Sequence, residues 1–212
     1  MPRSKPTALD SFNEIAAIRI ALTGSDPMIW RAVEVPTSMT LTALNDVVQA
    51  VVGWCFLHLW AFRIDGHAYG PLMDADWGPR SPIDAAKTRL RDVLRGRKMT
   101  FNYTYDFGDC WEHTLAVTDI RQGEPGVGYP RYVGGEWNGP PEDCGGLPGF
   151  YALLEARDDP ANPGHANAVE WLDDYDPRAI EQLPITYALL RIANRRNAAA
   201  LRLARKAGRG NG

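Results

Sequence analysis

Apolar and polar residues alternate along residues 101–117 with one interruption. Phe101, Tyr103, Tyr105 and Phe107 alternate with Asn102, Thr104 and Asp106. After Gly108-Asp109-Cys110 the pattern resumes, with Trp111, His113, Leu115 and Val117 on one side and Glu112, Thr114 and Ala116 on the other. A period of two marks half-buried strands, and the glycine-bearing break marks the turn between them. A three-residue loop pairs Phe107 with Trp111 and keeps the apolar residues on one face. A two-residue Gly-Asp loop would set Asp106 beside Trp111 and mix the faces, so the first register is preferred. It places Asp106 opposite Glu112, with Asp109 at the tip.

The same reading applied to the rest of the chain gives an α+β order. Residues 1–13 form a loose lead-in. Residues 15–22 and 29–35 read as two strands joined by the turn chemistry of Thr23-Gly-Ser-Asp-Pro27. Thr40 is a candidate N-cap, and Leu41, Leu44, Val47, Val48, Val51 and Val52 follow helical spacing, predicting an amphipathic helix over 41–54. A third strand covers 58–65. A long loop holding Trp77 follows over 66–82, then a short helix over 83–94. After the hairpin of 99–120, residues 123–149 are dense in Gly and Pro and read as an irregular loop that packs through Tyr129, Tyr132 and Trp137. Helices are expected over 150–157 and around 167–172. The expected fold is α+β: an antiparallel or mixed sheet built from hairpins in a roll or grasp-like arrangement, with packed helices and a long Gly/Pro loop. Residues 14–180 form the domain, and 181–212 form a basic C-terminal helix and tail.

Composition narrows the function classes. The chain has 212 residues, is 45% hydrophobic and 23% charged, and carries a formal net charge of −3, which leaves no global electrostatic footprint for nucleic acid. Cys55, Cys110 and Cys144 are an odd number without a CxxC pair, which suits a reducing compartment rather than a disulfide scaffold. No apolar run approaches a membrane span and no signal-peptide core stands at the amino terminus, so a cytoplasmic location is expected, with no membrane partner. The tail differs from the whole: Arg191, Arg195, Arg196, Arg202, Arg205, Lys206 and Arg209 occur with no acid after Glu181. It reads either as a solvated helix or as a contact for nucleic acid or an acidic protein.

Candidate chemistry gathers at the hairpin. Like charges facing each other across strands destabilise a sheet, so a cation is expected between Asp106 and Glu112. One reading supplies it as a basic side chain, and Arg31, on the apolar face of its strand, is the candidate counter-ion. The other supplies a divalent cation held by carboxylate oxygens. Catalytic candidates are Asp106, Asp109, Glu112 and His113. Binding candidates are Arg31, His58, Trp111, Glu142 and Asp143. Metal-ligand candidates are Asp106, Glu112, His113 and Cys144. A histidine on an apolar strand face is more often a hydrogen-bonded core residue than a ligand, so His113 carries both readings.

Several motifs then occur in a fixed order: Ile29-Trp-Arg31, Thr40-Leu41 with Gly53-Trp54, His58-Leu59 with Phe62-Arg63-Ile64, Tyr105-Asp-Phe-Gly-Asp109 with Trp111-Glu-His113, Tyr129-Pro130, and Pro140-Pro-Glu-Asp-Cys-Gly-Gly146. Together they resemble the Ri-plasmid open-reading-frame-three-like family, whose relatives include TnpR-type passenger proteins of insertion elements. The resemblance spans roughly residues 14–180. It implies a compact α+β unit found with mobile elements and without an agreed activity. Family members often carry His-Leu-His where this chain has His58-Leu59-Trp60, and cysteines at the positions of Tyr132 and Gly139. With only Cys144 kept, the resemblance implies that a structural zinc site is degraded or absent in this chain. No serine-recombinase signature occurs, and resolvase activity is not carried over.

Three readings follow, one of them a scaffold in which the motif residues form a buried polar network that orders the long loop. Another is a binding or accessory module contacting protein or nucleic acid, consistent with the absence of GxSxG, P-loop, HExxH and GxGxxG motifs. The third is a metal-dependent hydrolase or nuclease centred on the acidic hairpin, with Glu142, Asp143 and Cys144 brought near by the loop.

Overall fold

The computed structural model describes residues 14–72 and 81–208. The lead-in expected at 1–13 and Trp77 lie outside the described residues. The elements are β1 (Glu14–Leu22), β2 (Trp30–Pro36), α1 (Leu41–Val52), β3 (Trp60–Ile64), β4 (His67–Gly70), β5 (Ile83–Asp84), α2 (Leu90–Leu94), β6 (Thr100–Tyr105), β7 (Trp111–Gln122), β8 (Arg131–Glu136), α3 (Gly146–Asp158), α4 (His165–Leu172) and α5 (Gln182–Gly208). Among the described residues the strands form one mixed sheet in the order β5-β4-β3-β6-β7-β1-β2-β8, antiparallel throughout except between β4 and β5. The fold is α+β.

The alternating strands bury one face. Ile18, Ile20, Val33, Val35, Phe62, Ile64, Phe101, Tyr103, Tyr105, Trp111, Leu115 and Val117 join one core with α1. On α1, Leu41, Leu44, Val47, Val48, Val51 and Val52 are all buried, each worth about 1.5–3 kcal/mol relative to an exposed position. The helix starts where Thr40 Oγ1 accepts the Ala43 N–H at 3.2 Å, and stops at Gly53, whose φ of 104° only glycine adopts easily. A polar chain crosses the core. Tyr103 Oη donates to Asn45 Oδ1 at 2.7 Å and accepts from Gln49 Nε2 at 2.9 Å, so these buried groups are satisfied.

The hairpin register differs from the expected one. Tyr105 pairs with Trp111, Thr104 with Glu112 and Tyr103 with His113, leaving a five-residue loop over 106–110. Asp106 therefore leaves the ladder and does not face Glu112, and Phe107 is exposed. The shift is two residues. Because side chains alternate with period two, every remaining residue keeps its expected face. Asp106 and Cys110 close the loop with φ of 52° and 56°, and the Cys110 N–H donates to the Asp106 carbonyl at 2.6 Å.

Arg31 is also placed differently. It is 1% exposed, and its donors go to main-chain carbonyls rather than to a carboxylate. Nε reaches Val51 O at 2.7 Å, and Nη1 reaches Trp30 O, Glu136 O and Trp137 O at 2.9, 3.2 and 2.6 Å. Val51 lies in the last turn of α1, whose carbonyls lack helical partners, so the guanidinium ties that helix end to the chain leaving β8. Burial lowers its pKa below the ordinary arginine value.

Two segments read as loops contain strands. β4 and β5 lie within or beside the expected 66–82 loop, and residues 83–89 are not helical, so that only α2 forms there. Within the expected irregular stretch, β8 adds to the edge of β2. Its Gly134-Gly135 reads as a turn, but a Cβ at Gly135 would stand 2.6 Å from Trp30 O and 2.8 Å from Arg31 Cδ. The glycine permits close approach to β2 rather than a bend. Glu34 adds to the clamp, with Arg131 Nε at 2.5 Å and Arg121 Nη2 at 2.7 Å. α5 packs back through buried Ile185, Leu189, Ile192 and Ala193.

Candidate metal centre

The five-residue hairpin loop, the segment after α1 and the turn before α3 meet at one end of the sheet. His58 enters from the residues preceding β3, Asp106 from the first residue after β6, and Glu142 and Asp143 from the turn leading to α3. His58 Nε2 lies 2.9 Å from Asp143 Oδ1, 3.7 Å from Asp106 Oδ2 and 4.0 Å from Glu142 Oε2. Despite these distances, His58 Nε2 is shielded from solvent and makes no directed hydrogen bond, and the same is true of Glu142 Oε2. Ligand atoms of His58, Asp106 and Asp143 all lie within 4.8 Å of one another.

Local chemistry holds each group in place. Asp106 sits at φ 52°, its N–H donates to Leu59 O at 2.9 Å, and its Oδ1 accepts from the Gly108 N–H at 2.9 Å. That occupies one carboxylate oxygen and aims the other at His58. Asp143 is also left-handed, at φ 58°. Aspartate tolerates this region better than most residues, but two such positions in one cluster are uncommon. Glu142 is bound through Oε1, which accepts the Cys55 N–H at 2.6 Å and the Tyr105 hydroxyl at 3.0 Å. Tyr105 Oη in turn accepts from the Leu57 and His58 N–H groups at 3.0 and 3.3 Å. Burial foremost, followed by the Glu142 bond, pushes the Tyr105 phenol up to about 12, so it stays protonated as a donor.

Behind this layer stands an aromatic wall. Trp54 stacks on Tyr105 at 4.7 Å, and its Nε1 donates to Pro140 O at 3.0 Å, tying α1 to the segment that presents Glu142 and Asp143. Asp109, at the hairpin loop, accepts the Gly145 N–H through Oδ2 at 3.0 Å. Gly146 is confined by that contact, since a Cβ there would meet Asp109 O at 2.5 Å. Phe56, Leu57 and Phe107 are exposed around the opening.

The structure thus gathers Asp106, His58, Glu142 and Asp143, with Asp109 bracing the turn. It places the other sequence candidates elsewhere. Glu112 is on the exposed face opposite Thr104. His113 is 2% exposed, its Nδ1 3.2 Å from Trp111 O, its ring edge-on to Trp54 at 5.2 Å; burial lowers its pKa to about 4 and keeps it neutral. Cys144 donates to Pro141 O at 3.3 Å, and burial pushes its thiol up to about 12, far from a thiolate. Trp111 is fully buried against Trp54. Arg31 serves the α1 terminus as described. Sequence reasoning did not single out Tyr105 or the Cys55 N–H. The strand pattern gave Tyr105 a core side, but not a hydroxyl reaching the edge of that core.

Nitrogen and carboxylate donors in this mixture suit a borderline or hard divalent cation. A cation among Asp106, Asp143 and Glu142 would offset the repulsion of three carboxylates crowded on one imidazole nitrogen. Asp143 is 63% exposed at its side chain, which leaves one side of the cluster open to solvent.

Comparison with known proteins places the chain among relatives. The chain is 37% identical over 171 residues to the uncharacterized protein y4hQ of Sinorhizobium fredii, covering 78% of this chain and 85% of that one. It superposes on the crystal structure of MM3350, a protein of unknown function from Methanosarcina mazei Go1, with a TM-score of 0.72 and 31% identity, over 80% of this chain and 96% of that one. No helix among the described residues is long and apolar enough to cross a membrane. The model of the plasmid pRiA4b ORF-3-like proteins matches residues 14–183. The chain belongs to the plasmid pRiA4b ORF-3-like family.

Proposed function

We propose that the protein is a binding and accessory module of a mobile element, contacting protein or nucleic acid, and that His58, Asp106 and Asp143 hold a divalent cation that organises its contact surface. The observation that carries the cation is the solvent-shielded His58 Nε2, close to three carboxylates yet in a directed hydrogen bond with none. A buried acceptor or donor left unmade costs about 1–3 kcal/mol, and a coordinated ion removes that cost. Glu142 Oε2 supports the same reading as a further oxygen at the rim of the site.

Titration of metal-free protein with zinc, manganese and magnesium, followed by calorimetry and thermal unfolding, tests it. One cation is expected to bind per chain, and a hundredfold excess over Kd adds about 2.7 kcal/mol of stability. Asp106→Asn and Asp143→Asn each weaken binding tenfold or more. Failure of all three metals to bind stoichiometrically or to shift unfolding sinks the proposal.

The open side of the cluster favours a second reading, a metal-dependent hydrolase or nuclease. The chemistry supplied by a bound cation is the lowering of a water's pKa, and the exposed side of the cluster at Asp143 is where solvent and substrate would reach it. Metal-stimulated cleavage of an activated phosphodiester, lost in Asp143→Asn, supports this reading. Metal-loaded protein without turnover over the background rate removes it and leaves the binding module.

A further inference from the structure

The long C-terminal helix shows a face that the domain does not use. Ile185, Leu189, Ile192 and Ala193 turn inward, whereas Leu183, Tyr187 and Leu190 are 71%, 64% and 51% exposed. At 100° per residue these three fall within about 60° of one another around α5. Three large apolar residues exposed together on one helix are unusual for a face that meets only water. Of the three, Leu190 also borders a cleft of about 360 Å³ between α5 and the sheet's edge strand, lined in part by Thr186 on the helix and by Pro130 and Val133 on or beside β8, whereas Leu183 and Tyr187 stand outside it on the solvent side. Val133 is itself exposed.

Charge beside the stripe is of one sign. Arg191, Arg195 and Arg202 are exposed and fall within about 40° of one another, next to Tyr187 on the solvent side. α5 contains no acidic residue. Arg195 meets Asp46 only at 3.7 Å, and Arg191 and Arg202 form no ion pair among the described residues. On the far side of the cleft Arg131 is already matched by Glu34 and Glu124. The exposed face of α5 therefore combines leucine, tyrosine and arginine with no acid of its own, and tyrosine and arginine are the types enriched where proteins anchor partners.

From this we infer that the exposed face of α5 docks an acidic amphipathic helix of a partner protein. The partner's apolar stripe would lie along Leu183, Tyr187 and Leu190, and its flanking carboxylates would meet Arg191, Arg195 and Arg202. A second copy of this chain fits poorly, because pairing α5 with itself sets arginines against arginines. A phosphate backbone would satisfy the arginines but leave the apolar residues without a role. The inference is independent of the cation centre.

The test uses the full chain and a fluorescent three-heptad peptide with Leu at a and d and Glu at e and g. A permuted peptide of identical composition and a DNA duplex of about two turns serve as competing probes, and each is measured with and without chelator. The heptad peptide is expected to bind at least tenfold more tightly than the permuted one, unaffected by chelator. The pair Leu183→Ser and Leu190→Ser should weaken it at least tenfold. The pair Arg191→Ala and Arg202→Ala should weaken it severalfold and flatten its salt dependence. Unchanged melting of these surface variants excludes misfolding. Equal binding of the two peptides, or indifference to the leucine pair, overturns the inference. Tighter binding of DNA than of the heptad peptide reassigns the face to nucleic acid. Concentration-dependent dimerisation abolished by the leucine pair reassigns it to self-association.

Discussion

His113 makes stability depend on pH in a calculable way. Its imidazole is wholly buried beside Trp54 and Tyr103, with Nδ1 at 3.2 Å from the Trp111 carbonyl. Burial is the largest cause of its lowered pKa, from 6.5 to about 4; the carbonyl contact opposes that shift and the Arg31 charge adds to it. The unfolded chain binds this proton near 6.5 and the folded chain only near 4. The neutral core is therefore fully favoured above pH 6.5, and the advantage falls away as pH drops from 6.5 towards 4. The gap corresponds to ~3 kcal/mol at 25 °C. Urea unfolding of the wild type and of His113→Gln from pH 7.5 to 4 isolates this contribution, because other titrating groups cancel in the difference. The wild type's stability relative to the variant should fall by ~3 kcal/mol across that range. A difference constant to within about 1 kcal/mol would refute the assignment of a neutral buried imidazole.

Two further outcomes follow from backbone geometry. Arg31→Met removes the guanidinium donors to Val51 O, Glu136 O and Trp137 O at once, and should lower the unfolding free energy by about 3 kcal/mol in urea titration; a loss under about 1 kcal/mol would mean the carbonyls find other partners. Gly149→Ala would drive a Cβ into the Cys144 carbonyl in the first turn of α3; a loss of about 3 kcal/mol is expected, and a variant melting like the wild type would show that this turn is freer than its contacts indicate.

Much of the sheet was readable because its signal is local. β6 and the first half of β7 alternate cleanly, β1 does so from Ile18 to Leu22, and α1 carries both its stripe and its cap. β8 was hidden because Gly134-Gly135 is a turn signal in isolation and a close-approach device only beside Trp30 and Arg31. The hairpin was placed with the correct faces but two residues off in register. Local alternation distinguishes odd slips from even ones and cannot choose among the even ones.

The candidate centre divides in the same way. The sequence by itself determined the faces of the strands at the start of the chain and in the hairpin, and the helix that covers them; it placed His58 and Asp106 within strands, whereas both stand just outside β3 and β6. It could not determine the grouping. His58, Asp106 and Asp143 come from three separate segments, and what joins them is the packing of Trp54 on Tyr105 and the bonds from Glu142 to the Cys55 N–H and from Asp109 to the Gly145 N–H. Tertiary structure also reversed the apparent partner of Arg31, because the acceptors were main-chain carbonyls at a helix end and at the end of β8. Side-chain types report on local periodicity; free backbone acceptors and long-range approach exist only once the chain has closed on itself.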